Sequence, residues 1–233
     1  MDEPVVQKRY PDDFFAPLTV PFQQNESFLR TGVCALLSLV PILNLVYLTG
    51  YKHQVMIATA NDDDIPPDPM NFSSIALSGL ILTVLNIIFY LIPVVAMYAV
   101  GLSPMAYLFQ FGDVLSGSLP LLDWIGGMIG RFVIVILWHI ALAPIFTSAQ
   151  MHYARGSSVM TFLNIPYHFF YVLRHISFFV KAEIFSWVFW ALAVLMEVLV
   201  TPTGIGLVLW PPMVAAVYII SSGYEYGVKA QSI

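Results

Sequence analysis

Charge is the first thing this chain lacks. Only 10% of its 233 residues are Asp, Glu, Lys or Arg, against about 25% in ordinary soluble domains. With 59% hydrophobic residues and a mean hydropathy of +0.81, a soluble fold could not hide its apolar surface, and a bilayer is the economical solvent. The net charge of −5 gives no basic face for nucleic acid. A single cysteine, Cys34, excludes an intramolecular disulfide and leaves the redox compartment open. No GxxxxGK[ST], HExxH, CxxC or GxSxG pattern occurs, and no set of paired acids and a nucleophile suggests hydrolysis, so the expectation is a protein that is not an enzyme.

What is present is a series of long apolar segments. At 1.5 Å per residue, about 20 apolar residues cross a bilayer. Five candidates follow: Phe28 to Tyr51, Phe72 to Gly101, Ile125 to Tyr153, Lys181 to Val200, and Gly204 to Gly223. Two further apolar stretches, Leu102–Trp124 and Val159–Phe179, are broken by Pro, Gly and charge or mixed with Arg174, His168 and His175; they read as in-plane interfacial segments, the second with the option of running on into the fourth span. The expected fold is therefore all-α, a polytopic bundle of about five transmembrane helices plus interfacial helices. Residues 1–27 read as a polar, Pro-rich tail without signal-peptide features, expected to be retained; 28–227 form the membrane domain and 228–233 a short C-terminal tail. The tripeptide Asn25–Ser27 fits a glycosylation sequon, a weak pattern.

Lysine and arginine set the orientation. Lys52, Arg155, Arg174, Lys181 and Lys229 fall on one side, and the loops Leu102–Trp124 and Thr201–Gly204 carry none, with Arg131 just inside the third span at that opposite end. Lys8, Arg9 and Arg30 in and after the tail weaken the bias. Five single spans put the tail outside and the C-terminus in the cytoplasm. If "VPILN" breaks span one into a hairpin, the tail moves inside.

A unit recurs three times: "VPILNLVYLTGYKHQ", "LAPIFTSAQMHYARG" and "LWPPMVAAVYIISSGYEYG". Each places proline in an apolar helix and follows it with a polar cluster containing tyrosine. Pro41, Pro93, Pro144 and Pro212 are expected to kink their helices, and the tyrosine clusters to anchor span ends at the interface.

"LLSLVPILNLVYLTGY", the acidic loop "NDDDIPPDPMNF", the opening "SSIALSGL" and the later "GIGLVLWPP…SSGYEYG" resemble a family of prokaryotic multi-pass membrane proteins classed as a domain of unknown function, over about residues 28–227. The resemblance implies an all-helical membrane bundle and a place in a prokaryotic cytoplasmic membrane. It implies no activity, and no catalytic residue is carried over. The long proline-rich tail and the weakly basic Gly-Tyr helix depart from that family's pattern.

Ionisable and polar groups inside spans are the candidate site residues. Arg131 and Glu197 fall at similar depth and could pair, or snorkel. His139 falls near mid-membrane, where an imidazole could ligate haem or a chlorophyll-type pigment, or hydrogen-bond between helices. Asn44 and Asn86 could join it in a polar layer or satisfy carbonyls freed by proline. Gly126 and Gly130 have GxxxG spacing. Asp62–Asp64 with Asp68 lacks the ligand pattern of a calcium loop and reads as a solvated loop. Three functions remain: a non-catalytic subunit or scaffold of a larger membrane complex, first in order because there is no catalytic set and little intramembrane charge; a small transporter or channel with a polar site at kinked helices; and a haem- or pigment-binding subunit. Expected partners are lipid and other membrane subunits.

Overall fold

The computed structural model describes residues 16–63, 65–99, 113, 116–117, 121–200 and 204–233; side chains at a few positions within helices, among them Pro41, Asn44, Pro93, Arg131 and His139, also lie outside the described residues. The regular elements among the described residues are all helices, with no strand. In chain order the helices are α1 (Ala16–Thr19), a 3-10 turn (Val20–Phe22), α2 (Asn25–Ser38), α3 (Pro41–Ala60), α4 (Phe72–Ala99), α5 (Leu121–Ala154), α6 (Val159–Phe162), α7 (Ile165–Arg174), α8 (Ile176–Val200) and α9 (Ile205–Ala230). Two segments, Phe72–Ala99 and Ile176–Glu197, are long and apolar enough to cross a membrane.

The first expected span is two helices, and this corrects the expectation of one kinked by Pro41. Pro41 occupies the first turn of α3, and Val40 before it is extended at φ −86°, ψ 109°. Proline's ring disfavours a helical conformation at the preceding residue, which favours ending α2 there; its missing N–H costs nothing at a helix start. The chain also reverses. Arg30 and Tyr51 would stand ~31 Å apart on one continuous helix, yet Arg30 donates to the Pro66 carbonyl and Tyr51 to the Pro67 carbonyl at 2.9 Å. Helices α2 and α3 are thus an antiparallel hairpin turning at Leu39–Val40. The other prolines behave differently: Pro144 lies inside α5, and Pro211 and Pro212 lie inside α9.

Two compact units divide the chain. The first holds the described residues up to Thr83 and from Thr147 onward; the second is Val84–Phe146. In the first, α9 packs along α3, α2 and α8. Its core joins Val20, Cys34 and Ala35 to Tyr47, Tyr51 and Val55 of α3, Ile75 of α4, and Ala216 and Ile220 of α9. Among the described residues, helix is present already at Ala16, within the expected polar tail. Helix α9 also runs into the expected C-terminal tail as far as Ala230, and Gln231 after it donates to the Thr59 carbonyl at 2.7 Å. In the second unit, Phe89 meets Phe146 edge-on with centroids 5.3 Å apart.

Backbone contact at glycines fixes α3 between α4 and α9. A Cβ on Gly50 would overlap the Ile75 carbonyl oxygen, and one on Gly79 the Val46 carbonyl. On the α9 side, a Cβ on Gly227 would lie 2.6 Å from the Thr59 Cβ, and one on Gly223 2.9 Å from the Lys52 carbonyl. The glycines of "TGYKHQ" and "GYEYG" let helix backbones touch, the small-xxx-small device of membrane bundles. Tyr51 and His53 are buried among the helices.

The stretch Val159–Phe179 forms α6, α7 and the first turn of α8, with His175 breaking α7 from α8. α7 turns His168 and Val172 inward and leaves Tyr167, Phe169, Phe170 and Leu173 outside, the one-sided pattern of an in-plane helix. The stretch Leu102–Trp124 lies largely outside the described residues.

Candidate functional site

Within the first unit, the side chain of Lys52 on α3 points between α8 and α9. Glu183 of α8 and Glu225 of α9 both attract its charge, and its ammonium lies 4.7 Å from the Tyr226 ring centroid and 6.0 Å from that of Tyr218. A carboxylate pair with aromatic faces is the environment in which a lysine can remain charged away from water. Tyr226 hydrogen-bonds Thr147 at the end of α5. Tyr218 shares a 2.8 Å hydrogen bond with Ser186, and Trp190 hydrogen-bonds the same phenol, its ring centroid 5.2 Å away.

One face of α8 carries all of this. Glu183, Ser186, Trp190 and Glu197 recur at i, i+3, i+7 and i+14, which at 3.6 residues per turn is a single stripe. The stripe faces α9 and rises about 21 Å. At its far end Glu197 lines a cavity of about 420 Å³ with Ser38, Trp190, Trp210, Pro211 and Pro212. A polar line thus joins a carboxylate-bearing cavity near the tip of the α2–α3 hairpin to the Lys52 group.

A second polar group lies where α5 meets α6 and α7. The ring of His152 donates from Nδ1 to the Ser148 carbonyl at 2.8 Å, and the Tyr167 hydroxyl donates to its Nε2 at 2.9 Å. His168 donates from Nε2 to the Thr161 carbonyl at 2.9 Å, and the Ser148 hydroxyl donates to its Nδ1 at 3.1 Å. Each ring has one nitrogen bonded to a carbonyl, which must receive a proton, and the other bonded to a hydroxyl, so the neutral tautomers are fixed. Burial pushes the pKa of His168 down, against a smaller upward pull from the Thr161 carbonyl. Both rings spend both nitrogens on protein partners and have none to offer a metal. Beside them His53 stacks on Tyr153, centroids 5.1 Å apart, its buried Nδ1 without a hydrogen-bond partner among the described residues.

The sequence candidates fare unequally. Glu197 lines the cavity. The side chains of Arg131, His139 and Asn44 lie outside the described residues, so their proposed pairing, haem or pigment ligation and mid-membrane layer are not part of the site described here. Asn86 is half-buried on α4, in the second unit. Carboxylates of the acidic loop take backbone partners: Asp63 accepts from the Ile65 N–H at 3.0 Å and Asp68 from that of Met70 at 2.9 Å. Among the described residues no group of three or more His, Cys, Asp or Glu is placed to hold a metal.

Sequence reasoning missed Glu183, Glu225 and the inward role of Lys52. The signal was present. Glu225 stands between two tyrosines and two glycines in "GYEYG", and Glu183 interrupts an otherwise apolar span; either could have been read as an intramembrane charge needing a partner.

Residues 33–210 match the family described as protein of unknown function (DUF4013). The chain belongs to that family. The match is narrower than the expected 28–227, and it ends before Tyr218, Gly223, Glu225, Tyr226 and Gly227, so the α9 half of the Lys52 group lies beyond the matched segment. No curated protein matches the chain, and no solved structure does.

Proposed function

We propose that this member of the DUF4013 family is a multi-pass membrane protein that passes a small cation across the bilayer along the α8–α9 interface. The observation that carries this reading is the polar line from the Glu197 cavity through Trp190, Tyr218 and Ser186 to Lys52, Glu183 and Glu225. Intramembrane charges are costly and mark ion or solute paths. Helices α3, α4, α5, α8 and α9 each have 20 or more residues and are the five spans of this reading, with α7 in the interface and α2 re-entering beside α3.

The hairpin supports an orientation with both termini in the cytoplasm, opposite to the tail-outside expectation. Arg155 donates to the Ala60 carbonyl at 3.0 Å, and Lys229 sits 5.7 Å over the Phe178 ring. Arg30 reaches the loop after Ala60, so these three basic residues fall toward one end, which this reading takes as the cytoplasmic side of the positive-inside rule.

Proteoliposomes tested for potential-driven flux of tetramethylammonium and of potassium decide the matter. Flux by the wild type, lowered at least tenfold by Tyr218→Phe in a protein that still elutes as a folded species, is the expected result. A wild type tight to both cations overturns the transport reading. A second reading, a non-catalytic subunit of a larger membrane complex, is favoured by the glycine contacts that lock α3 to α4 and α9, since such a frame resists rearrangement. A large native-gel species in mild detergent, containing other membrane proteins, is its expected signature; a lone monomer or homodimer counts against it.

A further inference from the structure

We infer that the break between α7 and α8 holds the phosphate of an anionic phospholipid, with the lipid's chains lying down the outer face of α8. The sequence supplies the charge. From Ile125 to Ala182 the chain has no Asp or Glu, while Arg174 ends α7 and Lys181 follows in the second turn of α8. Both are exposed. Lys229, at the end of α9, joins them, its ammonium 5.7 Å over the Phe178 ring. His175 stands at the break, its ring packed on Tyr171 with centroids 4.5 Å apart. Partial burial, and then the charges of Lys229 and Arg174, hold the His175 pKa below its usual value. Cations from α7 and α9 thus act on one ring. Glu183 and Glu225, the acids nearest Lys181 and Lys229 in the sequence, both attract Lys52. α8 starts at Ile176, so the positive end of its dipole adds to the same field.

A phospholipid fits this junction better than a soluble anion, because apolar surface adjoins the cations on both helices. α7 leaves Phe169, Phe170 and Leu173 exposed beside Arg174. An in-plane helix seats such side chains among the acyl chains and its basic residues among the headgroups. On α8, Ile176, Val180, Ile184 and Trp187 are each close to half exposed. They recur at i, i+4, i+8 and i+11, one stripe at 3.6 residues per turn. The stripe rises ~16 Å from the cations, about one leaflet of hydrocarbon. A bare phosphate would leave it uncovered. Basic clusters on the cytoplasmic side attract the anionic lipids of that leaflet, and the orientation proposed above puts Lys229 on that side. This inference rests on the membrane reading, in which α8 and α9 are spans. It is independent of cation passage.

Native mass spectrometry of the full chain in mild detergent, mixed with phosphatidylglycerol or with phosphatidylcholine of the same chains, reads the site. Wild type is expected to retain phosphatidylglycerol at least tenfold more strongly. Arg174→Gln with Lys181→Gln should lower that preference at least tenfold, at a factor of about five per basic side chain. The charge-keeping exchange Arg174→Lys with Lys181→Arg should retain it. So should Arg155→Gln, at the same end of the fold but bonded to the Ala60 carbonyl. Circular dichroism melts within a few degrees of wild type show that a loss is local. An equal loss in Arg155→Gln would assign the preference to the charge of the whole face and overturn the site. Equal retention of the two lipids by wild type overturns it without any variant. Displacement of phosphatidylglycerol by inorganic phosphate at constant ionic strength overturns the lipid as occupant. A chain that stays soluble without detergent overturns the membrane reading and this inference with it; a membrane-extracted chain indifferent to the headgroup overturns this inference alone. Phosphatidylglycerol retained by a protein that passes no cation overturns the transport reading and leaves this site in place.

Discussion

Arg30 and Tyr51 hold the neighbouring carbonyls of Pro66 and Pro67, although 21 positions separate them in the chain. This relationship closes the α2–α3 hairpin onto the loop before α4, and Tyr47 extends it with a 2.7 Å bond to the Pro69 carbonyl. Tyr51→Phe removes the donor and leaves a carbonyl without its partner. The expected cost is ~1–2 kcal/mol, read as a lower midpoint in a thermal melt, and Tyr47→Phe should behave alike. A Tyr51→Phe protein as stable as wild type would show that the hairpin is held by apolar packing alone.

The hairpin also has a consequence for sidedness. Epitope tags at the N-terminus and C-terminus should be protected together in right-side-out vesicles and cleaved together in inverted ones. A tag cleaved at one end only in the same vesicle preparation would restore a single first span.

Gly50 and Gly79 bring α3 and α4 into backbone contact. Gly79→Ala should destabilise the first unit by ~1–3 kcal/mol, the usual cost of overpacking a filled interface, and Gly79→Leu should abolish accumulation of folded protein. Gly126→Ala is the control: nothing lies within 4 Å of a Cβ placed there, so its melt should match wild type or exceed it slightly, since alanine is the better helix former.

These contacts mark the limit of what the sequence could convey. Helix content was legible because long apolar runs with few charges have no other stable form in lipid. A helix α7 with one buried and one exposed face fits the mixture of aromatics with histidine and arginine in its sequence. Pro41 was legible as a disturbance, with a break left as the alternative, because the same residue type can start one helix and lie inside another; the contacts of Arg30 and Tyr51 with the Pro66 and Pro67 carbonyls decide between them. Glycine in "TGY" and "GYEYG" reads as permissive until the opposing backbone is placed. Lys52 looked like span-end decoration because the carboxylates that attract it, Glu183 and Glu225, sit on two other helices, and pairing between helices is written nowhere in local spacing.

His168 gives the first unit a pH dependence. Its pKa is depressed chiefly by burial, while in the unfolded chain it titrates near 6.5. Below about pH 6.5 the unfolded state binds a proton that the native state refuses, so stability falls as pH falls through that value. Above it the ring is neutral in both states and the effect vanishes. Melting midpoints for wild type should drop between about pH 7 and 5, and His168→Gln should flatten that drop. An unchanged slope in the variant would assign the effect to other groups.

The Lys52 group makes the sharpest demand. Two carboxylates attract one ammonium, so removing the cation leaves two like charges without it, whereas removing a carboxylate leaves a pair. Lys52→Met should therefore cost more than Glu225→Gln, by ~2 kcal/mol or more, since breaking a buried pair from one side strands the other charge. Adding Glu183→Gln and Glu225→Gln to Lys52→Met should recover much of that loss, because a neutral set of similar shape has nothing left to strand. Wild type and these three variants, melted in one detergent, form the test. A triple variant as unstable as Lys52→Met alone would mean that the lysine stem, packed on Tyr218 and Tyr226, and not its charge, is what holds α3 to α9 at this level.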